Sequence, residues 1–430
     1  MADATALPPI PSEGLPVYVH DRRVGRLTSD PIEGTSSFFY APDVTERDIV
    51  SLVMPLTDNP EEYSGFYGVP APFEVSLPEG FLRDILARRL RKHIDLSDDF
   101  ALLRLMGRDG VGRVGIGGPV RDHTDSRDAP SQALLAMARG PHAAQALGEA
   151  LRTVPLAHIG LSGAMPKMSA AGGLPGERPG TLIHARAIIK FDQGREYAGA
   201  AFMEYLCLRA CAAAGLPVPE IALSPDGDAL TISRFDYAVD GTRLGFEDLC
   251  ALTGLRASGK YQGSIEAVFR ILRTYGDPDH VEADALQLLR LVCVNDILRN
   301  GDAHLKNFGL LYDHPDRARL APTYDVLNTT FFLPKDQPAL PLDIARHHQT
   351  WMTREDLPVL AEVSGFSLET VREVYAACRA AVPQGLMQAM DETSGVPSRH
   401  RDAIHRFLHK AIGSQKRVEI EADLSACGPH

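Results

Sequence analysis

One run of nine residues constrains this chain more than any other: Asn300-Gly301-Asp302-Ala303-His304-Leu305-Lys306-Asn307-Phe308, followed by Tyr324-Asp325-Val326. An acid, Asp302, precedes the amide of Asn307 by five residues, and a second acid, Asp325, follows after a short loop. Phosphoryl transfer uses that order: a carboxylate beside the attacking hydroxyl, then an Asn and an Asp on the magnesium ions. Mg²⁺ favours such hard oxygen ligands and keeps several waters. A plain polar turn between LLRLVCVNDIL and FGLLY would also be rich in Asn, Gly and Asp. A turn alone does not demand a His, a Lys and a second Asn within the same stretch.

The chain has 430 residues, enough for two or three subdomains at about 100–200 residues each. With 44% hydrophobic and 23% charged residues it reads as globular and able to bury a large core. No apolar run approaches the roughly 18 residues needed to span a bilayer, so no membrane association is expected. MADATALPPIPSEG has neither a basic nor an apolar secretory region, and a cytoplasmic location is expected. The six cysteines are scattered, with Cys207 and Cys211 at helical spacing, which predicts small buried hydrophobes in a reducing compartment. A net charge of −12 argues against a chain-wide footprint for nucleic acid.

Residues 1–15 form a Pro-rich lead-in. VYVHDRRVGRL (17–27) predicts a hairpin turning at Asp21-Arg22-Arg23, and SSFFYAPD continues the β pattern. LPEGFLRDILARRLRKHIDL predicts a helix with one apolar face; its basic cluster at 88–92 fits a solvated face better than a ligand patch. A helix from FALLRLM then runs into the Gly-rich GRDGVGRVGIGG, and the polar stretch 119–132 marks a subdomain boundary. SQALLAMARG and HAAQALGEALR predict short helices, TLIHARAIIKFD a strand carrying Lys190, and LTISRFD a further strand. REYAGAAFMEYLCLRACAAAGL predicts a long amphipathic helix stopping at Gly215, a left-handed cap position. From about 241 onward the chain predicts helices, interrupted by the loops holding Asp302 and Asp325. A surface role is expected for His347, His348, His400 and His405.

Three further elements fit around the two acidic loops. Gly160 to Lys167, including Ser162, Gly163, Ala164, Met165, Pro166 and Lys167, offers small residues whose backbone N–H groups can approach phosphate oxygens. Gly-Ser loops are common, so this element is weak alone. Lys190 ends an apolar strand, where a kinase places the cation for the α- and β-phosphates. An edge-strand Lys that discourages aggregation would look the same. Glu204, on the helix that follows, suits an ion pair with Lys190, although surface pairing along the helix competes with that reading. The order of the whole set is the informative property.

On these residues the chain resembles HipA-type toxins, the kinase component of bacterial toxin–antitoxin pairs. The resemblance spans nearly the full length, through VYVHDRRVGRL, FEVSLPEGFLR, GRDGVG, SGAMPK, AIIKFD, LTISRFD, FEDLCALTG with SGKY, NGDAHLKNFGL and APTYDVLN. It implies an α+β, eukaryotic-like protein-kinase fold: an added N-terminal α/β subdomain (16–130), a mixed lobe (131–240) and an all-helical lobe (241–430). It makes Asp302 the catalytic base, with His304 beside the transferring phosphate, and Asn307 and Asp325 the Mg²⁺ ligands. Lys190 would touch the nucleotide phosphates of ATP, with Ser162–Lys167 over them and Ser233, Arg234 and Phe235 forming the adenine hinge. Lys260 and Tyr261 match a family motif whose role the residues alone do not reveal.

The resemblance further implies transfer to a protein serine or threonine, with an aminoacyl-tRNA synthetase as the typical substrate and slowed growth and drug tolerance as the outcome. It also implies a helix-turn-helix antitoxin of the HipB kind, with operator DNA reached mainly through that complex. Two departures stand out. Ser233 occupies a hinge position where the family commonly has Glu, and Gly160 a loop position where it often has Ser. Autophosphorylation of that loop recurs in the family, and Ser162 is the serine at a matching position. Two other readings stay open: a small-molecule kinase of the aminoglycoside or choline type, and a non-catalytic kinase-like corepressor.

Overall fold

The computed structural model describes residues 14–30, 32–57, 63–66, 68–77, 98–108, 110–120, 129–153, 180–183, 187–192, 197–343 and 350–426. The loop Ser162–Lys167, the basic cluster at 88–92, and His347 and His348 lie outside these residues.

Among the described residues, three antiparallel sheets frame the fold. In the first, strands β1 (Leu15–Val19), β2 (Arg22–Asp30), β3 (Thr35–Tyr40), β4 (Tyr63–Phe66) and β5 (Val114–Ile116) run in the order β4-β3-β2-β1-β5. Alternating burial of Leu15, Val17 and Val19 turns one face of β1 onto a core with Phe38, Phe73, Leu102 and Leu103. The helix α1 (Asp99–Met106), N-capped by Asp98, covers that core. The first hairpin turns one residue earlier than expected, at His20-Asp21, with His20 at φ 53°. Two-residue turns with positive φ match the twist of paired strands. Arg22 and Arg23 are therefore strand residues paired with Val19 and Tyr18, and Arg22 reaches the Asp43 carboxylate at 3.3 Å.

The second sheet has the order β6-β7-β9-β8, from β6 (Gly180–Ile183), β7 (Ala187–Phe191), β8 (Ile221–Leu223) and β9 (Ala229–Ser233). The segment expected as one strand around Lys190 is thus two, paired from Gly180↔Phe191 to Ile183↔Ile188. Short helices α2 (Ala129–Ala138) and α3 (Ala143–Thr153) pack on this sheet, α2 against β9 and α3 against β7, in a cluster with Leu134, Leu147, Ile189 and Phe191.

Helix α4 (Ala200–Ala213) follows, with Gly215 at φ +79° just past its end. It is not amphipathic: ten of its fourteen residues are buried. Sheet covers one side and the long helix from 368 to 392 the other, where Gly385 lets the backbones approach; a Cβ there would lie 2.6 Å from that of Ala213. Beside the four-residue helices Ala71–Glu74 and Leu249–Leu252, the described residues form α5 (Ile265–Tyr275), α6 (Val281–Ile297), α7 (Leu357–Ser364), α8 (Leu368–Glu392) and α9 (Arg401–Ala426).

This half is not all helical. A third sheet, β10 (Gly245–Asp248), β11 (Gly309–Tyr312) and β12 (Arg319–Leu320), sits among the helices. The strand β11 begins two residues after Asn307, and the missing side chain of Gly309 makes room for the Phe246 ring on β10. The same sheet anchors the N-terminal unit. Glu247, buried on β10, accepts from the Ser51 hydroxyl, from Leu52 N–H at 2.8 Å and from Tyr312 O–H at 2.7 Å.

Candidate active site

The catalytic-type loop leaves helix α6 through Arg299, whose φ of 57° breaks the helical path. Asn300 then donates to the Asn295 side-chain oxygen at 2.9 Å and to the Asp325 carbonyl at 3.5 Å. Gly301 N–H donates to Thr329 Oγ1 at 2.8 Å, tying this loop to the segment after Asp325. Asn307 Nδ2 donates to the Asp325 carbonyl at 3.3 Å. Two loops distant in sequence are therefore laced backbone to side chain, and Asp302, His304, Asn307 and Asp325 are all buried there.

Asp325 itself has φ 56°, a left-handed conformation uncommon for a residue other than Gly, Asn or Asp. Such strain persists where surrounding bonds over-determine the backbone, as the Asn300 and Asn307 amides do here. It turns the Asp325 carboxylate toward Lys190, whose ammonium contacts Asp325 Oδ1 and both Glu204 oxygens, at 2.7 and 2.9 Å for the latter. Burial would pull the Lys190 pKa down, but the Asp325 and Glu204 charges outweigh it and the net shift is upward. Burial also raises Glu204, against the opposing pull of Lys190. The predicted strand lysine and helix glutamate are brought together, and the metal-type aspartate joins them.

Asp302 Oδ1 accepts from Tyr261 O–H at 2.6 Å, whereas Oδ2 is buried without a hydrogen-bond partner. Burial raises the Asp302 pKa; Lys260 and Tyr261 oppose the shift and Asp325 adds to it. His304 has its Nε2 on the Lys260 ammonium, and burial followed by that charge lowers its pKa well below the usual value. The imidazole is neutral at pH 7. His304 Nδ1 and Asn307 Oδ1 are likewise buried without a partner; the Asn307 amide lies against His304 but short of full hydrogen-bond geometry. Three orphaned polar atoms in one buried site are costly unless a ligand satisfies them.

Ser233 ends β9 opposite Ala187, and its N–H donates to Glu220 O at 2.8 Å. The Arg234 side chain turns inward to Asp236 at 2.6 Å. The Phe235 ring lies 5.5 Å from that of Tyr324, whose hydroxyl donates to Lys306 O at 3.0 Å. The stretch expected as the hinge thus borders the Asp325 loop, with its arginine engaged in an internal ion pair.

Three participants were given no role from the sequence. Lys306, within the catalytic-type loop, is an internal strut: its ammonium lies 2.7 Å from Asp248 on β10, with both side chains buried. Lys260 and Tyr261 stand directly on His304 and Asp302. Their only sequence signal was the SGKY tract.

A layered α+β scaffold carrying paired acidic loops around a buried lysine defines a kinase-like class of architecture. A family model described as the HipA N-terminal domain matches residues 15–117, and one described as the HipA-like C-terminal domain matches residues 159–386. The chain belongs to the HipA family. Among curated relatives, "Putative kinase Y4mE" of Sinorhizobium fredii (strain NBRC 101917 / NGR234) is 27% identical over 94% of this chain and 98% of that protein. "Putative kinase Y4dM" of the same organism is 28% identical over 73% of this chain and 76% of that protein. Among solved structures, HipA of Shewanella oneidensis MR-1, in a toxin–antitoxin complex with HipB and operator DNA, superposes with a TM-score of 0.67. It is 18% identical, covering 94% of this chain and 97% of that one, which establishes a shared fold.

Proposed function

We propose that the chain is a HipA-type kinase toxin, transferring the γ-phosphoryl group of ATP to a serine or threonine of a protein substrate. The observation that carries this reading is the contact of Lys190 with both Glu204 and Asp325, with Asn307 on the Asp325 carbonyl and Asp302 near enough for the Asp325 charge to help raise its pKa. Asp302 Oδ2 takes the proton of the acceptor hydroxyl. The hydroxyl oxygen forms the new bond to the γ-phosphorus, and the bond to the β,γ-bridging oxygen breaks, its electron pair leaving with ADP. Lys190 supplies positive charge to the α- and β-phosphates. Most of the acceleration then comes from positioning and charge neutralisation.

The donor set suits Mg²⁺: one carboxylate, Asp325, and one amide oxygen, Asn307 Oδ1, which has no hydrogen bond among the described residues. Among the described residues no three His, Cys, Asp or Glu side chains cluster as a metal cage, so phosphate oxygens and waters would complete the shell. Bound there, Mg²⁺ would neutralise charge on the β- and γ-oxygens.

The partners follow from the family: a HipB-like helix-turn-helix antitoxin, and operator DNA through that complex, the assembly in which the Shewanella HipA was solved. The net charge of −12 favours this indirect route over independent DNA binding. A translation component such as an aminoacyl-tRNA synthetase is the substrate class to try first.

The test is transfer of labelled γ-phosphate from Mg-ATP to protein acceptors by the wild-type chain and by Asp302→Asn. Labelled protein with the first and loss by about 10²-fold or more with the second are expected. Label appearing only on small alcohols would make it a small-molecule kinase. Absence of ATP binding in the presence of Mg²⁺ would leave a non-catalytic corepressor.

A further inference from the structure

The Ser258-Gly259-Lys260-Tyr261 tract has no task in the transfer as written, yet it is held from both sides. Behind it, Arg256 is clamped by Glu74 at 2.5 Å and Asp99 at 2.6 Å from the N-terminal unit, and Ala257 N–H donates to Glu74 at 2.6 Å. Ahead of it, three bonds reach the catalytic-type loop. Leu305 N–H donates to the Lys260 carbonyl at 3.1 Å, Tyr261 O–H to Asp302 Oδ1 at 2.6 Å, and the Lys260 ammonium to His304 Nε2. The Tyr261 and His304 rings meet edge-on with centroids 5.2 Å apart, and the ammonium lies 4.9 Å from the Tyr261 centroid.

Donor and acceptor inventories decide what these bonds leave over. A carboxylate offers two oxygens; Tyr261 occupies Oδ1, and Oδ2, 3.9 Å from His304 Nε2, is buried with no hydrogen bond among the described residues. An ammonium can only donate, so His304 Nε2 must present its lone pair and the single ring proton must sit on Nδ1. Among the described residues that Nδ1–H makes no full hydrogen bond, the Asn307 amide lying against the ring but short of one.

We infer that Tyr261 and Lys260 are positioning residues of the transfer site: together they leave it one acceptor, Asp302 Oδ2, for the incoming hydroxyl, and one donor, His304 Nδ1–H, for a phosphoryl oxygen. Tyr261 sets which carboxylate oxygen faces the acceptor. Lys260 sets which imidazole nitrogen carries the proton. Without them either oxygen and either nitrogen could face the ligand, and only some of the bound complexes would be competent. This assignment rests on the phosphotransferase reading above.

The test separates orientation from mere support. Tyr261→Phe keeps the ring against His304 and removes one hydroxyl; Lys260→Met keeps much of the stem and removes the donor. Each should lower kcat by about 10- to 100-fold, the worth of a lost hydrogen bond to a charged or catalytic group, with KM for ATP unchanged. Lys260→Arg, which restores a donor, should recover part of the loss. Nitrogen-15 NMR of labelled histidine should show His304 Nε2 unprotonated in the wild-type chain and a mixture of tautomers in Lys260→Met. Wild-type kcat in Tyr261→Phe, or a wild-type His304 bearing its proton on Nε2, would overturn the inference. So would equal losses in kcat and ATP affinity accompanied by a lowered Tm. The NMR measurement needs no turnover, so it still decides Lys260's role if the wild-type chain transfers no phosphate and the kinase reading fails.

Discussion

Lys306 Nζ and Asp248 Oδ2 lie 2.7 Å apart in a buried ion pair that pins the catalytic-type loop to strand β10 one residue before Asn307. Asp248 has a second task, accepting Ala251 N–H at 2.8 Å to cap the short helix after β10. Its neighbour Glu247 holds the N-terminal unit. One strand thus links the N-terminal unit and the loop that carries Asp302.

Breaking the pair on one side leaves a charge buried alone. Lys306→Met is expected to destabilise the chain by about 3–5 kcal/mol in urea unfolding. Adding Asp248→Asn should recover part of that loss, because the amide keeps an oxygen for the cap without the uncompensated charge. A double variant no more stable than Lys306→Met would show that the pair's charge is not what matters.

Lys190→Met removes the cation between Glu204 and Asp325. Transfer should fall by about 10²-fold or more, since the lysine neutralises phosphate charge at the transition state. The fold should suffer less than with Lys306→Met, because the buried Glu204, already shifted upward, can take up a proton. Circular dichroism melts beside activity assays read the two effects separately.

Asp296, buried at the end of α6 and accepting Met352 N–H at 2.7 Å, gives the chain a pH-dependent term. Burial pushes its pKa up to about 6, against the pull of Arg299 and the Met352 N–H. A folded pKa above the unfolded one favours the native state when the proton is bound. Its contribution is therefore full below about pH 4 and is lost as pH rises through about 6. Asp296→Asn should flatten unfolding free energy between those limits. An unchanged slope would assign the dependence to other buried carboxyls pushed upward, such as Asp192, whose pKa burial raises to about 7.

Glu247→Ala orphans three donors, from Ser51, Leu52 and Tyr312, each costing about 1–3 kcal/mol if left unpaired. Part of that cost disappears if the Ser51–Val53 segment lifts away to water. Limited proteolysis should then cut near residues 50–57 faster than in the wild-type chain.

The residues that make up the candidate site could be named from the chain itself, and several of them meet in the fold: Lys190 with Glu204 and Asp325, and Asn307 with the Asp325 carbonyl. Lys190, Glu204, Asp302, Asn307 and Asp325 belong to residue types that phosphoryl chemistry narrows to few choices, and their order survives any detail of packing. Strand and helix positions followed largely from apolar periodicity and turn residues. The misreadings have local causes. The first turn lay at His20-Asp21 because a two-residue turn with positive φ was available there. Helix α4 looked amphipathic because a sequence does not say how many neighbours will cover it.

What the residues alone determined was which chemical groups were present, and in what order along the chain. Which groups face one another was decided by the tertiary fold. Tyr261 and Asp302 are 41 residues apart, and Lys306 and Asp248 are 58 apart. A lysine four residues after a catalytic-type aspartate could have met a phosphate; this one is buried against a carboxylate instead. Hydrogen-bond partners across such separations depend on the packing of three sheets and their helices, and no local pattern encodes that packing.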